Sequence, residues 1–184
     1  MKSLGTINNP KELFSLINAA GKDETRVHLS NVWLSKNGFA YGCDGHILAA
    51  RHHDLTLDCD IPVNAQISKQ LCKITDPIEV FDNDDPNEPT AYTFKSFHSS
   101  WGITQQSLSH AKMPNMEALT PQKTAPTEEI GLNLYLVERL RKALGLTVRN
   151  ASTKLVFQSK LGPIKVTVRD NDNAYGLIMP MRIN

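Results

Sequence analysis

The sequence is poor in cysteine. Cys43, Cys59 and Cys72 are an odd number with no CxxC spacing, which excludes a disulfide framework and a zinc site built on cysteine pairs. Long apolar runs are also missing, and no stretch approaches the roughly 18 residues a membrane helix needs. Neither sign of charge dominates: 20 Lys and Arg face 19 Asp and Glu, a net charge of +1. No global positive field can therefore bring the chain to nucleic acid, and any DNA contact requires basic residues sorted onto one surface. No tract is compositionally biased. Met1-Lys2-Ser3-Leu4-Gly5 leads into Asn and Pro rather than an apolar segment, so a secretory leader is not expected and a reducing cytoplasm is.

Catalytic signatures are equally scarce. There is no G-x-S-x-G, no phosphate-binding glycine loop and no paired carboxylates in a plausible setting. Asp44, His46, His52 and His53 cluster, but without the i, i+4 histidines of a zincin helix. His52 and His53 would point to opposite faces of a strand and could not share an ion from there. No enzyme, metal or cofactor is expected, and a metal-dependent hydrolase is the remotest alternative.

What is present is an ordinary globular composition, 40% hydrophobic and 21% charged over 184 residues. That is enough for one domain or two small ones with a sizeable core. The pattern repeats a helix followed by strands three times. In the first unit, Asn9 is the N-cap, Pro10 opens the helix, Glu12 takes the capping-box position, and Leu13, Leu16, Ile17 and Ala20 share a face before Gly21. Strands are predicted over Val27–Leu34 and Phe39–Ala50, around a Lys36-Asn37-Gly38 turn. The second unit starts near Ile61. Ile67, Leu71 and Ile74 mark a short helix with Lys69 and Lys73 outward, ended by Asp76-Pro77. Strands follow at Ile78–Phe81 and Tyr92–Trp101, split by a polar loop from Asp82 to Pro89. Met113 to Thr127, with Pro114, Pro121 and Pro126, reads as an extended linker. In the third unit Asn133 caps a helix carrying Leu136, Val137, Leu140, Ala143 and Leu144, before Gly145. Strands follow at Leu155–Ser159, Ile164–Arg169 and Ala174–Ile183.

The third helix places Glu138 and Lys142 opposite its apolar stripe, with Arg139 and Arg141 at the flanks. A solvated face explains one such helix. The second helix repeats the pattern with Lys69 and Lys73 and no acid, which points toward a phosphate-facing surface.

Two short motifs resemble those of a known family. Cys43-Asp44-Gly45-His46-Ile47-Leu48-Ala49 is similar to the T-D-G-H-R-L-A segment in the middle domain of the bacterial DNA polymerase III beta sliding clamp. Leu177-Ile178-Met179-Pro180-Met181-Arg182-Ile183 resembles that family's terminal V-V-M-P-M-R-L. Between them, Met113-Pro114-Asn115-Met116-Glu117-Ala118-Leu119-Thr120-Pro121 follows its F-P-D-Y-x-x-V-L-P linker. Asp23 to Val32 is similar to the stretch that precedes D-G-H.

The resemblance implies an α+β DNA-clamp fold, with helices on one side of antiparallel sheets. Residues 1–121 would form a complete domain like the clamp's middle one, and residues 122–184 half a domain like the second half of its last. It implies a cleft for short linear peptides of DNA polymerases, clamp loaders or repair proteins, formed by Leu29, Cys43, Gly45, His46, Ile47, Leu48, Pro121, Leu177 and Met179. Taken singly, Leu29, Ile47 and Leu48 would pass for core. The resemblance further implies that the helices place Lys69, Lys73, Arg139, Arg141 and Lys142 toward double-stranded DNA, bound without sequence preference by a homo-oligomer. Ile47 and Cys43 replace the family's Arg and Thr, which predicts a less polar pocket. The clamp's first domain and half of its last have no counterpart, so the second expectation is a regulatory decoy that keeps the cleft and never encircles DNA.

Overall fold

The computed structural model describes residues 1–23, 25–83, 90–108, 111–121, 129–147 and 152–182. Residues 84–89 of the polar loop, 122–127 of the linker with Pro126, and Ile183 of the last strand lie outside them.

The first unit opens with β1 (Lys2–Ile7) and α1 (Pro10–Phe14). The cap is reciprocal: the Glu12 N–H donates to the Asn9 carboxamide at 3.2 Å, and Asn9 donates back to the Glu12 carboxylate at 2.9 Å, satisfying donors that a helix start leaves open. The helix tightens into a 3₁₀ turn over Ser15–Asn18 and stops at Ala19. Gly21 is not its left-handed cap, as the sequence suggested. Its N–H reaches the Leu29 carbonyl at 2.8 Å instead, holding a second short helix, α2 (Val27–Ser30). Here the expected strand over Val27–Leu34 is corrected. The Asp23 carboxylate accepts from the backbone N–H and hydroxyl of Thr25, a local turn that winds the chain before extension begins. Extension starts only at β2 (Val32–Leu34), followed by β3 (Phe39–Cys43) and β4 (Ile47–His52).

The second unit is β5 (Ile61–Val63), α3 (Ala65–Leu71), β6 (Ile78–Asp82), β7 (Ala91–Ser96) and β8 (Gly102–Gln106). The single strand predicted over Tyr92–Trp101 breaks after Ser96, whose N–H bonds the Trp101 carbonyl at 3.0 Å. Tyr92 and Phe94 stay in β7, while Phe97 and Trp101 lie at a tight turn, with Phe97 57% exposed. The third unit holds α4 (Leu134–Ala143), β9 (Thr153–Val156), β10 (Ile164–Val168) and β11 (Asn171–Ile178). Asn133 caps α4 by accepting from the Tyr135 N–H, and Gly145 closes it at φ +65°, a conformation glycine adopts without a Cβ penalty.

All strand pairings are antiparallel, in a four-stranded sheet β1-β6-β7-β8 and a seven-stranded sheet β5-β2-β3-β4-β11-β10-β9. Units one and two exchange their leading strands: β1 pairs with β6, and β5 with β2. Unit three joins unit one through β4 and β11. The main core lies between both sheets and the helices, with Phe14 edge-on to Phe94 at 6.2 Å. Helices come close because of a row of small residues, Gly42–Ala49–Gly176, in register across β3, β4 and β11. A Cβ at Gly42 would lie 2.2 Å from the Leu16 carbonyl oxygen, and one at Gly176 2.6 Å from a Leu140 methyl.

Candidate peptide cleft and helix-side basic surface

Because strand side chains alternate between faces, the seven-stranded sheet carries a second apolar cluster on the face away from the main core. Leu29, Trp33, Tyr41, Cys43, Leu48, Ala50, Met116 and Leu177 form it. Register explains the convergence: Cys43 is opposite Leu48, and Leu48 is opposite Leu177. Four residues expected in the cleft, Leu29, Cys43, Leu48 and Leu177, are therefore neighbours. Burial pushes the Cys43 thiol above its ordinary pKa, so it is an apolar wall rather than a nucleophile.

Ile47 is a correction. One residue from Leu48, it points the other way and is 2% exposed in the main core, so it cannot line the cleft. Gly45 and His46 are exposed at the cluster's rim. Met179, 38% exposed, is tied to that rim by its N–H to the His46 carbonyl at 2.8 Å. Pro121 is half-buried at the end of the linker. Sequence reasoning missed Trp33, Tyr41, Ala50 and Met116, although Tyr41 and Ala50 follow the i, i+2 spacing of Cys43 and Leu48. Met116 is 2% exposed in the cluster, so the linker itself covers part of this face.

Asp44 organises the rim. One carboxylate oxygen accepts from the His46 and Ile47 N–H groups at 2.8 and 2.9 Å, folding the turn in which Gly45 has φ +94°. The other forms an ion pair with Arg139 of α4, the two side chains being 10% and 16% exposed. Arg139 also donates to the carbonyls of Asn18, Ala19 and Ala20 at 3.1, 3.3 and 2.9 Å, capping the 3₁₀ turn of unit one. In return, Arg51 donates to the Leu144 carbonyl at the end of α4 and pairs with Glu12, both at 2.8 Å. The Ser15 hydroxyl donates to the Ala143 carbonyl at 2.8 Å.

That arrangement corrects Arg139 as a DNA-facing residue, since its guanidinium is turned inward to Asp44 and unit one. Arg141 grips Glu138 with two bonds, at 2.7 and 2.9 Å, and with Lys142 at 3.5 Å this holds the Glu138 carboxyl down at about 2. Lys69 and Lys73 are exposed on α3. Lys69, Lys142 and Lys22, which the sequence reading did not single out, line one depression of about 470 Å³ between α3 and α4. The structure thus brings Lys69 and Lys142 together, and Arg139 lines the same depression with its guanidinium turned to Asp44.

Two of the four residues weighed as a metal cluster are used otherwise. Asp44 holds Arg139, and His53 is buried, with Nδ1 accepting from the Leu55 N–H at 3.2 Å. Burial pushes His53 below the usual histidine pKa.

No protein-family model matches the sequence, and no curated protein matches it significantly. Solved structures do match. DNA polymerase III subunit beta from Borrelia burgdorferi is 14% identical with a TM-score of 0.71, over 99% of this chain and 65% of that one. The sliding clamp of Bacillus subtilis is 15% identical at a TM-score of 0.70, over 99% and 64%. The DNA polymerase beta subunit of Streptococcus pyogenes is 16% identical at 0.72, over 100% and 67%. The chain spans about two thirds of the length of these proteins. Its fold is that of the bacterial DNA polymerase III beta sliding clamp, in shortened form.

Proposed function

We propose that this chain is a non-enzymatic, clamp-type accessory protein of DNA replication or repair, which docks polymerases, clamp loaders or repair proteins by their short linear motifs. Residues 1–121 act as a complete clamp domain and residues 122–184 as half of one. The observation that carries the reading is the convergence of Leu29, Cys43, Leu48 and Leu177 on the sheet face away from the core, beside the exposed Gly45, His46 and Met179. Apolar walls with an adaptable Met suit a Leu or Phe anchor, and the exposed turn offers backbone groups to a polar side chain. Met116 has to shift for an anchor to reach the buried wall. Lys69, Lys73 and Lys142, assisted by Arg141, face duplex DNA when an oligomer encircles it.

A specific observation favours the second reading, a decoy that binds such peptides without encircling DNA. Arg139 is committed to Asp44, and Arg141 and Lys142 to Glu138, which leaves few cations for phosphates.

The test is fluorescence anisotropy with a labelled peptide that has glutamine first and Leu or Phe near its end. Saturable binding is expected, weakened roughly tenfold or more by Met179→Ala, as for truncation of a buried anchor. No saturable binding to the folded protein overturns the cleft. Salt-dependent DNA binding weakened by Lys69→Glu and Lys142→Glu supports the clamp over the decoy, and its absence reverses that order.

A further inference from the structure

The seven-stranded sheet is symmetric about its β4–β11 pair. From that pair outward, one arm runs β4, β3, β2 and then β5, while among the described residues the other runs β11, β10 and ends at β9. The position beyond β9 is the one that β5, the leading strand of unit two, fills beside β2. The burial of the equivalent strands shows the vacancy. β2 is buried at all three residues, whereas in β9 Thr153, Lys154 and Leu155 are exposed.

The leading segment of unit three is vacant in the complementary sense. β1 meets its own unit through the Thr56 N–H, which donates to the Leu4 carbonyl at 2.8 Å, and gives its other side to β6 of unit two. Gly131 likewise accepts from the Met181 N–H at 2.8 Å, but among the described residues no strand lies on its other side. Between these two free edges is an apolar groove of about 280 Å³, lined by Leu132, Val137, Leu140, Leu144, Leu155 and Val166. Outside it, Leu134 of α4 is 79% exposed. In the first two units, α1 and α3 cover each other's corresponding faces.

We propose that a second copy of this chain covers this face, its third unit exchanging leading strands with the first copy's across a two-fold axis. Each leading segment around Gly131 adds to the partner's β9, and the two α4 helices close over the joined grooves, as units one and two do within the chain. A free leading edge and a free receiving edge on one unit make the face self-complementary, which is what an isologous contact requires. No internal stretch can take the place of the copy. The longest run outside the described residues is 122–128, too short to supply a helix and three strands. The contact completes the half domain, giving two chains the content of three domains. It deepens the oligomer reading above and rests on it, but it is tested without peptide or DNA, so its failure leaves the cleft standing.

Sedimentation equilibrium of the 184-residue chain at tens of micromolar should give a mass of twice 20.5 kDa or a multiple of that dimer. Amides of Thr153–Val156 should become protected from hydrogen exchange as concentration rises. Val137→Glu combined with Leu155→Lys, at positions already 39% and 43% exposed, should lower the mass at least two-fold while the circular dichroism spectrum is retained. Phe97→Glu, on the second unit, should not lower it. A monomer throughout, or an oligomer that protects Gly102–Gln106 of the other edge strand and leaves β9 exchanging, overturns the proposal.

Discussion

Asp44 can be removed in two steps that separate its two tasks. Asp44→Asn keeps a carbonyl oxygen for the His46 and Ile47 N–H groups but removes the charge facing Arg139. Asp44→Ala removes both. Breaking one side of a buried ion pair costs about 3–5 kcal/mol. The pair is not fully enclosed, at 10% and 16% side-chain exposure, and Arg139 keeps three backbone carbonyls. These features bring the expected loss for Asp44→Asn to about 2 kcal/mol. Loss of the turn acceptors adds roughly 1 kcal/mol, as for a helix cap, so Asp44→Ala should cost about 3 kcal/mol. The assay is urea unfolding at one fixed protein concentration, so that any association is held constant. Because Asp44 and Arg139 touch, Asp44→Asn and Arg139→Met should be non-additive by about 1 kcal/mol or more. An Asp44→Asn protein as stable as the parent, or strict additivity in the cycle, would refute the claim that this pair clamps unit three onto unit one.

Two further perturbations read other parts of the fold. His53 is held neutral by burial, so the unfolded chain binds a proton the folded one resists; stability should fall as pH drops below the free histidine value of about 6.5, and His53→Gln should flatten that fall in urea midpoints taken between pH 7 and 5. Gly42→Ala would set a methyl 2.2 Å from the Leu16 carbonyl, and the forced retreat of the 3₁₀ turn should cost about 3 kcal/mol, the upper end for overpacking, seen as a lowered thermal midpoint. An unchanged midpoint would mean the helix is not seated on the small-residue row.

The repeat was legible because each helix announces itself with local chemistry: Asn9 with Pro10 and Glu12, the 3.6-residue spacing of Ile67, Leu71 and Ile74, Asn133 with Gly145. Strand limits were less so. Aromatic Phe97 and Trp101 look like strand residues, yet they flank a turn set by pairing with β6 and β8, and Val27–Ser30 is wound by the N–H groups of Leu29 and Ser30, which both donate to the Arg26 carbonyl. The motifs named Cys43, Leu48 and Leu177, which share the outer apolar cluster. They did not reveal which neighbour faces which way, because face is fixed by register and register is long-range. Arg139 of α4 was misplaced for a similar reason. A helical wheel places Arg139 at a flank without showing that Asp44, 95 residues earlier, waits beside it.

The turn after β3 shows how alternation divides one motif between two jobs. Reading Ile47 in place of the family's Arg as a loss of polarity in the pocket assumes that the residue faces the pocket. The pairings Leu48 with Leu177 and Ile47 with Ile178 show otherwise. Leu48 and Leu177 belong to the outer cluster, while Ile47 and Ile178 belong to the main core beneath the helices. An arginine at position 47 would be directed into a core where Ile47 is 2% exposed, and an unpaired charge there is costly. The isoleucine is therefore explained by packing under the helices, and the change says little about which peptide is preferred. Cys43 is different. It stands on the outer face with Leu48, so the replacement of a hydroxyl by a thiol there is the substitution that makes the outer cluster more apolar. Between two neighbouring departures from one motif, strand register assigns one to the main core and the other to the outer cluster.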